Sequence, residues 1–204
     1  MHQRDTRILV KKINIGCGQL ETAIQLWFQE GDPVSVHTLA SAARDVLRVL
    51  YEHSEAGPFP SPLPKNASKT QREKLHDQIK ITANFFKHAG KDRNHSHDFS
   101  PEVTARFMLE AIHLFKGASK GEPTKGQATT WMLLYQTYLT TVRPDWFSEK
   151  LLGATRDIIP AYVLKPRSRL QFFEKFCIGL PKCQPFGAPT PLPFRVKRTS
   201  GPWT

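Results

Sequence analysis

The sequence has few cysteines and no long apolar run. Three cysteines are present among 204 residues, at positions 17, 177 and 183, and no two of them form a C-x-x-C pair. So small and odd a number of cysteines argues against a disulfide framework and against a zinc finger. No apolar run approaches the roughly 18 residues that a membrane-spanning helix needs, and the run at 8–10 is too short for a secretory signal. We therefore expect a cytoplasmic protein without a membrane partner.

The positive charge is distributed unevenly along the chain. The net charge is +11, yet residues 1–160 hold 21 Lys and Arg against 17 Asp and Glu, whereas residues 161–204 hold 8 against 1. The second range also contains 7 of the 16 prolines, which predicts a disordered tail. A basic tail on a nearly neutral body favours loose, salt-sensitive attraction to polyanions over a dedicated nucleic-acid surface.

Helical patterns dominate the body of the chain. An apolar stripe at helical spacing covers residues 20–28, and Gly31 follows it where a left-handed C-terminal cap is typical. Asp32 and Pro33 then supply an N-cap and a first-turn proline for a second helix. Because no residues are left for a crossover, we predict that these two helices pack as a tight antiparallel pair.

Two further helices are predicted on either side of a histidine-rich loop. The third helix is expected to begin at Thr70, with Glu73 at the capping-box position, and to end at Gly90. The Ser100-Pro101 pair predicts the start of a fourth helix, which is expected to stop at Gly117.

The remaining patterns predict two more helices and a tail. A fifth helix is expected at 127–142 and a sixth from Asp145 to Pro160, with one short helix at 170–177 inside the tail. The predicted fold is all-α, a bundle of four to six helices with a Pro-rich, basic C-terminal tail. The predicted ranges are a flexible N-terminus at 1–10, an all-α helical domain at 11–160 and the tail at 161–204.

The histidine-rich loop is a candidate metal site. His95 and His97, together with Asp92, Asp98 or His88, offer the nitrogen and oxygen ligands that zinc or another divalent ion accepts. In such a site every metal ligand would come from a dozen loop residues, with no cysteine among them, and this spacing does not match a defined metal site. We therefore expect neither a tight metal site nor a cofactor. His95 and His97 are expected to bind zinc or nickel weakly at most.

Five residues are candidates for binding or catalysis: His37, Asn84, Lys87, His88 and Asp92. Asn84 and His88 lie four residues apart, so we expect them to share a helix face, where the histidine can act as a general acid or base. No nucleophile or orienting partner is evident, which favours a role in packing or capping the helix end. His37 lies beside the apolar stripe of the second helix, and we expect it to be buried and hydrogen-bonded.

Two strings in the chain resemble a family of bacterial proteins that has no assigned activity. The first string is QLETAI at 19–24 with GDPVSVHTLA at 31–40, and the second is NFFKHA at 84–89. The resemblance covers roughly residues 11–117, about the first four helices. It implies no mechanism.

The chain also resembles the HEPN helical bundles. Their ribonuclease members carry an arginine, a polar residue, three variable residues and a histidine near a helix end, and Asn84 and His88 match the polar residue and the histidine. Ala83 occupies the arginine position, so the charge that would stabilise a phosphate is missing. The resemblance implies a degenerate RNA-binding or RNA-processing protein.

The function that these patterns favour is a non-enzymatic binding or assembly module. Wide apolar stripes are present in the sequence, whereas phosphate loops, nucleophile motifs and defined metal spacings are not. We expect apolar helix faces to form a homo-oligomer, with no indication of another protein partner or ligand. The HEPN-like protein acting on RNA is the alternative.

Overall fold

The structure of the chain is a computed structural model, which describes residues 10–54, 56–57, 68–88, 94–119, 127–148, 152 and 168–179. It confirms the predicted all-α fold, since no strand occurs in these ranges. The α-helices are α1 (Lys12–Phe28), α2 (Pro33–Glu52), α3 (Lys69–Lys87), α4 (Pro101–Ala118), α5 (Gln127–Val142) and α6 (Arg169–Gly179), and a 3-10 turn at Pro144–Trp146 follows α5. None of the helices in the described ranges is long and apolar enough to cross a membrane.

The N-terminal end of α2 forms as predicted. The Asp32 carboxylate accepts a hydrogen bond from the backbone N–H of Ser35 at 2.8 Å, and Pro33 is the first helical residue. An aspartate cap satisfies an N–H group that has no partner within the helix. The corner between α1 and α2 is therefore fixed on its α2 side.

The C-terminal end of α1 differs from the prediction for Gly31. Glu30 rather than Gly31 adopts the left-handed conformation, with φ of 54°. Glu30 donates its N–H to the Trp27 carbonyl at 3.3 Å, and Gly31 donates to the Leu26 carbonyl at 2.8 Å. These two bonds form a Schellman motif, in which Glu30 takes the position that usually holds glycine. The left-handed residue is thus one position earlier than the glycine suggested.

The N-terminal end of α3 corrects a second prediction. The capping box consists of Ser68 and Gln71 instead of Thr70 and Glu73. The Gln71 N–H donates to Ser68 Oγ at 3.2 Å, and the Ser68 N–H donates to Gln71 Oε1 at 2.8 Å. Both pairs have the same sequence spacing, but the serine comes first and leaves Thr70 inside the first turn.

The C-terminal end of α4 shows why Gly117 is a glycine. The helix continues through Gly117 to Ala118, one residue beyond the predicted stop. A Cβ atom at position 117 would overlap the ring of Tyr51 and approach the Ala56 side chain to 2.9 Å. The glycine therefore permits close packing of α2 against α4 instead of ending the helix.

Helix α5 has the predicted bounds, whereas the predicted start of the next helix is wrong. Asp145 lies inside the 3-10 turn, and its carboxylate accepts hydrogen bonds from Arg143 at 3.0 and 3.1 Å instead of capping a helix. Phe147 is extended, with φ of −123° and ψ of 157°. Of the predicted sixth helix, Leu152 is helical, and residues 149–151 and 153–160 lie outside the described ranges.

The core is built from α1, α2, α4 and α5, and α6 contributes to it. The short helix predicted at 170–177 is present, and its Phe172 is fully buried in the core. Helix α6, which we assigned to the tail, therefore packs with the body through Phe172 and Phe173. The predicted disorder of 180–204 concerns residues outside the described ranges.

Candidate functional site

The most polar part of the interior lies between α2 and α4, which pack in parallel. His37 contacts Thr104, 67 residues later, and Arg44 contacts Glu110, 66 residues later. A nearly constant separation along two helices means that both run in the same direction. We call these four side chains the polar seam.

His37 lies at the N-terminal end of the polar seam and is surrounded by rings. Its side chain is fully buried, and its Nδ1 atom lies 2.8 Å from the Thr104 hydroxyl oxygen. The ring centroids of Phe86, Phe99 and Phe107 lie 5.5, 5.0 and 5.3 Å from that of His37. The prediction that His37 is buried and hydrogen-bonded agrees with this geometry.

The histidine-rich loop reaches the same cluster through His97. The Nε2 atom of His97 lies 2.7 Å from the Thr82 hydroxyl oxygen on α3, and its ring lies 5.1 Å from that of Phe85. Phe85 and Phe86 belong to the NFFKHA string, and His37 belongs to the GDPVSVHTLA string. The two strings and the loop therefore meet at one place, where they join α2, α3 and α4.

The electrostatics of His37 keep it neutral. Burial, with smaller contributions from the positive charges of Lys87 and His97, lowers the pKa of His37 to about 4. Its Nε2 atom is buried and has no hydrogen-bond partner among the described residues. A neutral imidazole enclosed by phenyl rings suits packing better than proton transfer to a substrate.

Asn84 and His88 do not form the pair that their spacing predicts. Helix α3 ends at Lys87, and His88 is extended, with φ of −130° and ψ of 106°. The His88 N–H donates to the Asn84 carbonyl at 3.0 Å, while both side chains and that of Lys87 are exposed. His88 is thus the C-terminal cap of α3, and the shared helix face stays a prediction.

The loop and the cysteines form no metal cluster in the part of the chain that the structure describes. No group of three His, Cys, Asp or Glu side chains there could hold a metal ion. His95 is exposed, and Asp92 and the predicted helix stop Gly90 lie outside the described ranges. Burial, and then the Glu21 charge, raises the pKa of the free Cys17 thiol to about 11, so this thiol stays protonated and unreactive at neutral pH.

Sequence reasoning missed the ion pair of Arg44 and Glu110. Arg44 Nε lies 2.8 Å from Glu110 Oε2, and Arg44 Nη2 lies 3.1 Å from Glu110 Oε1. Arg44 follows the buried Ala40 by four residues and precedes the buried Leu47 by three. A charged residue in the middle of an apolar stripe was the signal that could have revealed this ion pair.

A second charged cluster joins the start of α4 to the turn after α5. The guanidinium carbons of Arg106 and Arg143 lie 4.3 and 4.4 Å from the ring centroid of Trp146. Arg143 also pairs with Glu102 and Asp145. Because the carboxylates neutralise Arg143, this cluster links two elements of the fold and does not present a basic surface.

Comparison of the chain with protein-family models, curated proteins and solved structures gave no match. The resemblances to a bacterial family and to the HEPN bundles therefore stay predictions. What the chain does is inferred below from its own residues and their contacts.

Proposed function

We propose that the protein is a cytoplasmic, non-enzymatic helical assembly module that associates with further copies of itself. The polar seam is the observation that carries the non-enzymatic part of this proposal. His37, Arg44 and Glu110 are 0%, 4% and 1% exposed, and each is bonded within the seam. A catalytic acid or base must reach the reacting group, so side chains enclosed in this way support packing better than catalysis.

Exposed apolar side chains at one end of the α1 and α2 pair support self-association. Ile15 is 38% exposed and Val49 is 45% exposed. Gly16, next to Ile15, packs against Leu47 and Val46, which places Ile15 and Val49 at the same end of the pair. Exposed apolar side chains are available for contacts between protein chains.

The HEPN-like alternative receives less support from the geometry. It needs the side chains of Asn84 and His88 to act together on RNA. His88 lies beyond the end of α3, and Ala83 occupies the position of the motif arginine. Without that arginine, no charge from the motif stabilises a phosphate in the transition state.

One set of measurements tests both functions. Light scattering during size-exclusion chromatography should show a mass above the 23.2 kDa of one chain, increasing with protein concentration. A monomer at every concentration would contradict the proposal.

Incubation with mixed RNA provides the second measurement, with the full chain, His88→Ala and a chain that ends at residue 180. We expect no cleavage, and weak binding that is lost with residues 181–204. RNA cleavage or binding that His88→Ala abolishes and the shortened chain keeps would establish the alternative instead.

A further inference from the structure

Helix α6 docks on an aromatic surface of the helical body. This surface, which we call the aromatic face, is formed by five side chains of α1 and α5: Trp27, Phe28, Trp131, Tyr135 and Tyr138. Phe172 of α6 is fully buried against it. The Phe172 ring stacks on Phe28 at 6.1 Å with an interplanar angle of 9°, and its centroid lies 4.9 Å from that of Tyr138.

Two neighbouring side chains of α6 complete the contact. The Phe173 ring stacks on Trp131 at 5.3 Å with an interplanar angle of 19°. The guanidinium carbon of Arg169 lies 4.6 Å from the Trp27 ring centroid. Positions 169, 172 and 173 are spaced as the anchors of an amphipathic helix that binds in a groove. Helix α6 therefore contacts the body as a helical ligand contacts its receptor.

Helix α6 also has the features of a separable unit. Its N-terminus carries its own cap, because Ser168 Oγ accepts a hydrogen bond from the Gln171 N–H at 3.1 Å. The aromatic face belongs to α1 and α5, so both halves of the contact occur in every copy of the chain. Residues 153–167 separate Leu152 from Ser168, and a connection of this length reaches at most about 50 Å. That distance is comparable with the size of a small helical domain.

We propose that copies of this chain associate by exchanging α6, so that α6 of one copy docks on the aromatic face of a second copy. This inference rests on the proposed self-association and names its interface. The docked contacts are the same within one chain and between two chains, so protein concentration and the entropy of the connection decide between the two arrangements. Dilute protein keeps α6 on its own body, and concentrated protein exchanges it.

Complementation between two defective full-length chains tests the exchange. Phe172→Asp removes the anchor of α6 and leaves the aromatic face intact, whereas Trp131→Glu alters the aromatic face and leaves α6 intact. We expect each variant alone to self-associate more than about tenfold more weakly than the unmodified chain, because loss of the α6 anchor or of its receptor leaves α6 undocked both within one chain and between two chains. An equimolar mixture should recover the oligomer, since it holds one intact α6 and one intact aromatic face.

The controls separate α6 exchange from other forms of assembly. Leu133→Glu changes an exposed residue of α5, and Glu174→Ala changes an exposed residue of α6, so both variants should associate like the unmodified chain. Circular dichroism checks that every variant is helical. If Phe172→Asp is unfolded, Phe173→Glu takes its place, because Phe173 is only partly buried.

Two results would overturn the exchange. If both single variants assemble normally while an Ile15→Glu, Val49→Glu double variant does not, the proposed function holds and the α6 interface is wrong. If the unmodified chain is a monomer at every concentration, both proposals fail. Recovery of the oligomer only when the two variants are mixed supports both proposals.

Discussion

Arg44 of α2 and Glu110 of α4 form a bidentate ion pair that is enclosed between the two helices. Their side chains are 5% and 0% exposed, and the Arg44 guanidinium carbon lies 6.0 Å from the Phe107 ring centroid. Two charges in such a place stabilise a fold only while each has the other as its partner. The pair therefore sets the register of α2 against α4, because a shift along either helix would move the Glu110 carboxylate away from the Arg44 guanidinium.

Breaking the Arg44 and Glu110 pair on one side should destabilise the protein strongly. Arg44→Met or Glu110→Gln is expected to lower the free energy of unfolding by about 3–5 kcal/mol, since the first change leaves the buried Glu110 carboxylate without its ion-pair partner and the second removes the negative charge that faces Arg44. The Arg44→Met, Glu110→Leu double variant should be much less destabilised than the sum of the single changes. Urea unfolding of the four proteins measures this coupling.

An exposed ion pair on the same helix provides the control. Arg48 and Glu52 lie 3.3 Å apart, with side chains that are 46% and 47% exposed. Glu52→Gln should change the free energy of unfolding by less than about 0.5 kcal/mol. Equal effects of Glu110→Gln and Glu52→Gln would show that the buried pair does not stabilise the helix packing.

The stability of the protein should fall as the pH falls below 6.5, because of His37. Burial lowers its pKa to about 4 in the folded chain, so the unfolded chain binds a proton first. The contribution of neutral His37 to the free energy of unfolding is complete above the unfolded pKa of about 6.5 and is lost towards pH 4. Between pH 7 and pH 5 we expect the free energy of unfolding to fall by about 2 kcal/mol. Urea unfolding across this range measures it.

His37→Gln is the matched variant for the pH dependence. It should lower stability at pH 7 through the lost packing and should flatten the change between pH 7 and pH 5. The free energy of unfolding should still depend weakly on pH in this variant, since burial and the Lys116 charge also lower the pKa of His113. An unchanged slope in His37→Gln would assign the pH dependence to other groups.

Glu30→Gly should stabilise the protein. Glu30 holds a positive φ of 54°, a conformation that glycine adopts without the steric penalty of a Cβ atom. We expect an increase of about 0.5–1 kcal/mol in the free energy of unfolding, after the larger entropy of glycine in the unfolded chain is subtracted. Glu30→Ala removes the same charge but keeps the Cβ atom, so it should show no such gain. Thermal unfolding of the two variants distinguishes strain from charge.

Shortening the chain should have different effects at two positions. Removal of residues 181–204 is expected to leave the midpoint of thermal unfolding nearly unchanged and to reduce salt-sensitive binding to heparin, because basic residues are lost while every residue of the described core is kept. Removal of residues 161–204 also deletes Phe172, which should lower the free energy of unfolding by about 3–5 kcal/mol. Similar midpoints for the two shortened chains would contradict the burial of α6.

The sequence predicted the helices better than their contacts. Caps such as Asp32 and prolines such as Pro33 act within a few residues, so the pattern around them was sufficient to place the start of α2. Gly117 was wrongly predicted to end α4. A glycine is needed there because the Tyr51 ring of another helix lies close to it. The partners of His37 and Arg44 lie 67 and 66 residues away. The position of Arg44 in an apolar stripe could indicate a buried charge, but it does not identify the residue that pairs with it. The candidate site could therefore be predicted only as separate residues.

The parallel packing of α2 and α4 also constrains the order in which the chain folds. Helices α1 and α2 are joined by a short corner, so their contacts are local and can form soon after residue 52 leaves the ribosome. The contacts between α2 and α4 need a segment of more than 60 residues to close first. Until α4 is made, Glu110 is absent, so the pairing that encloses the Arg44 guanidinium cannot form.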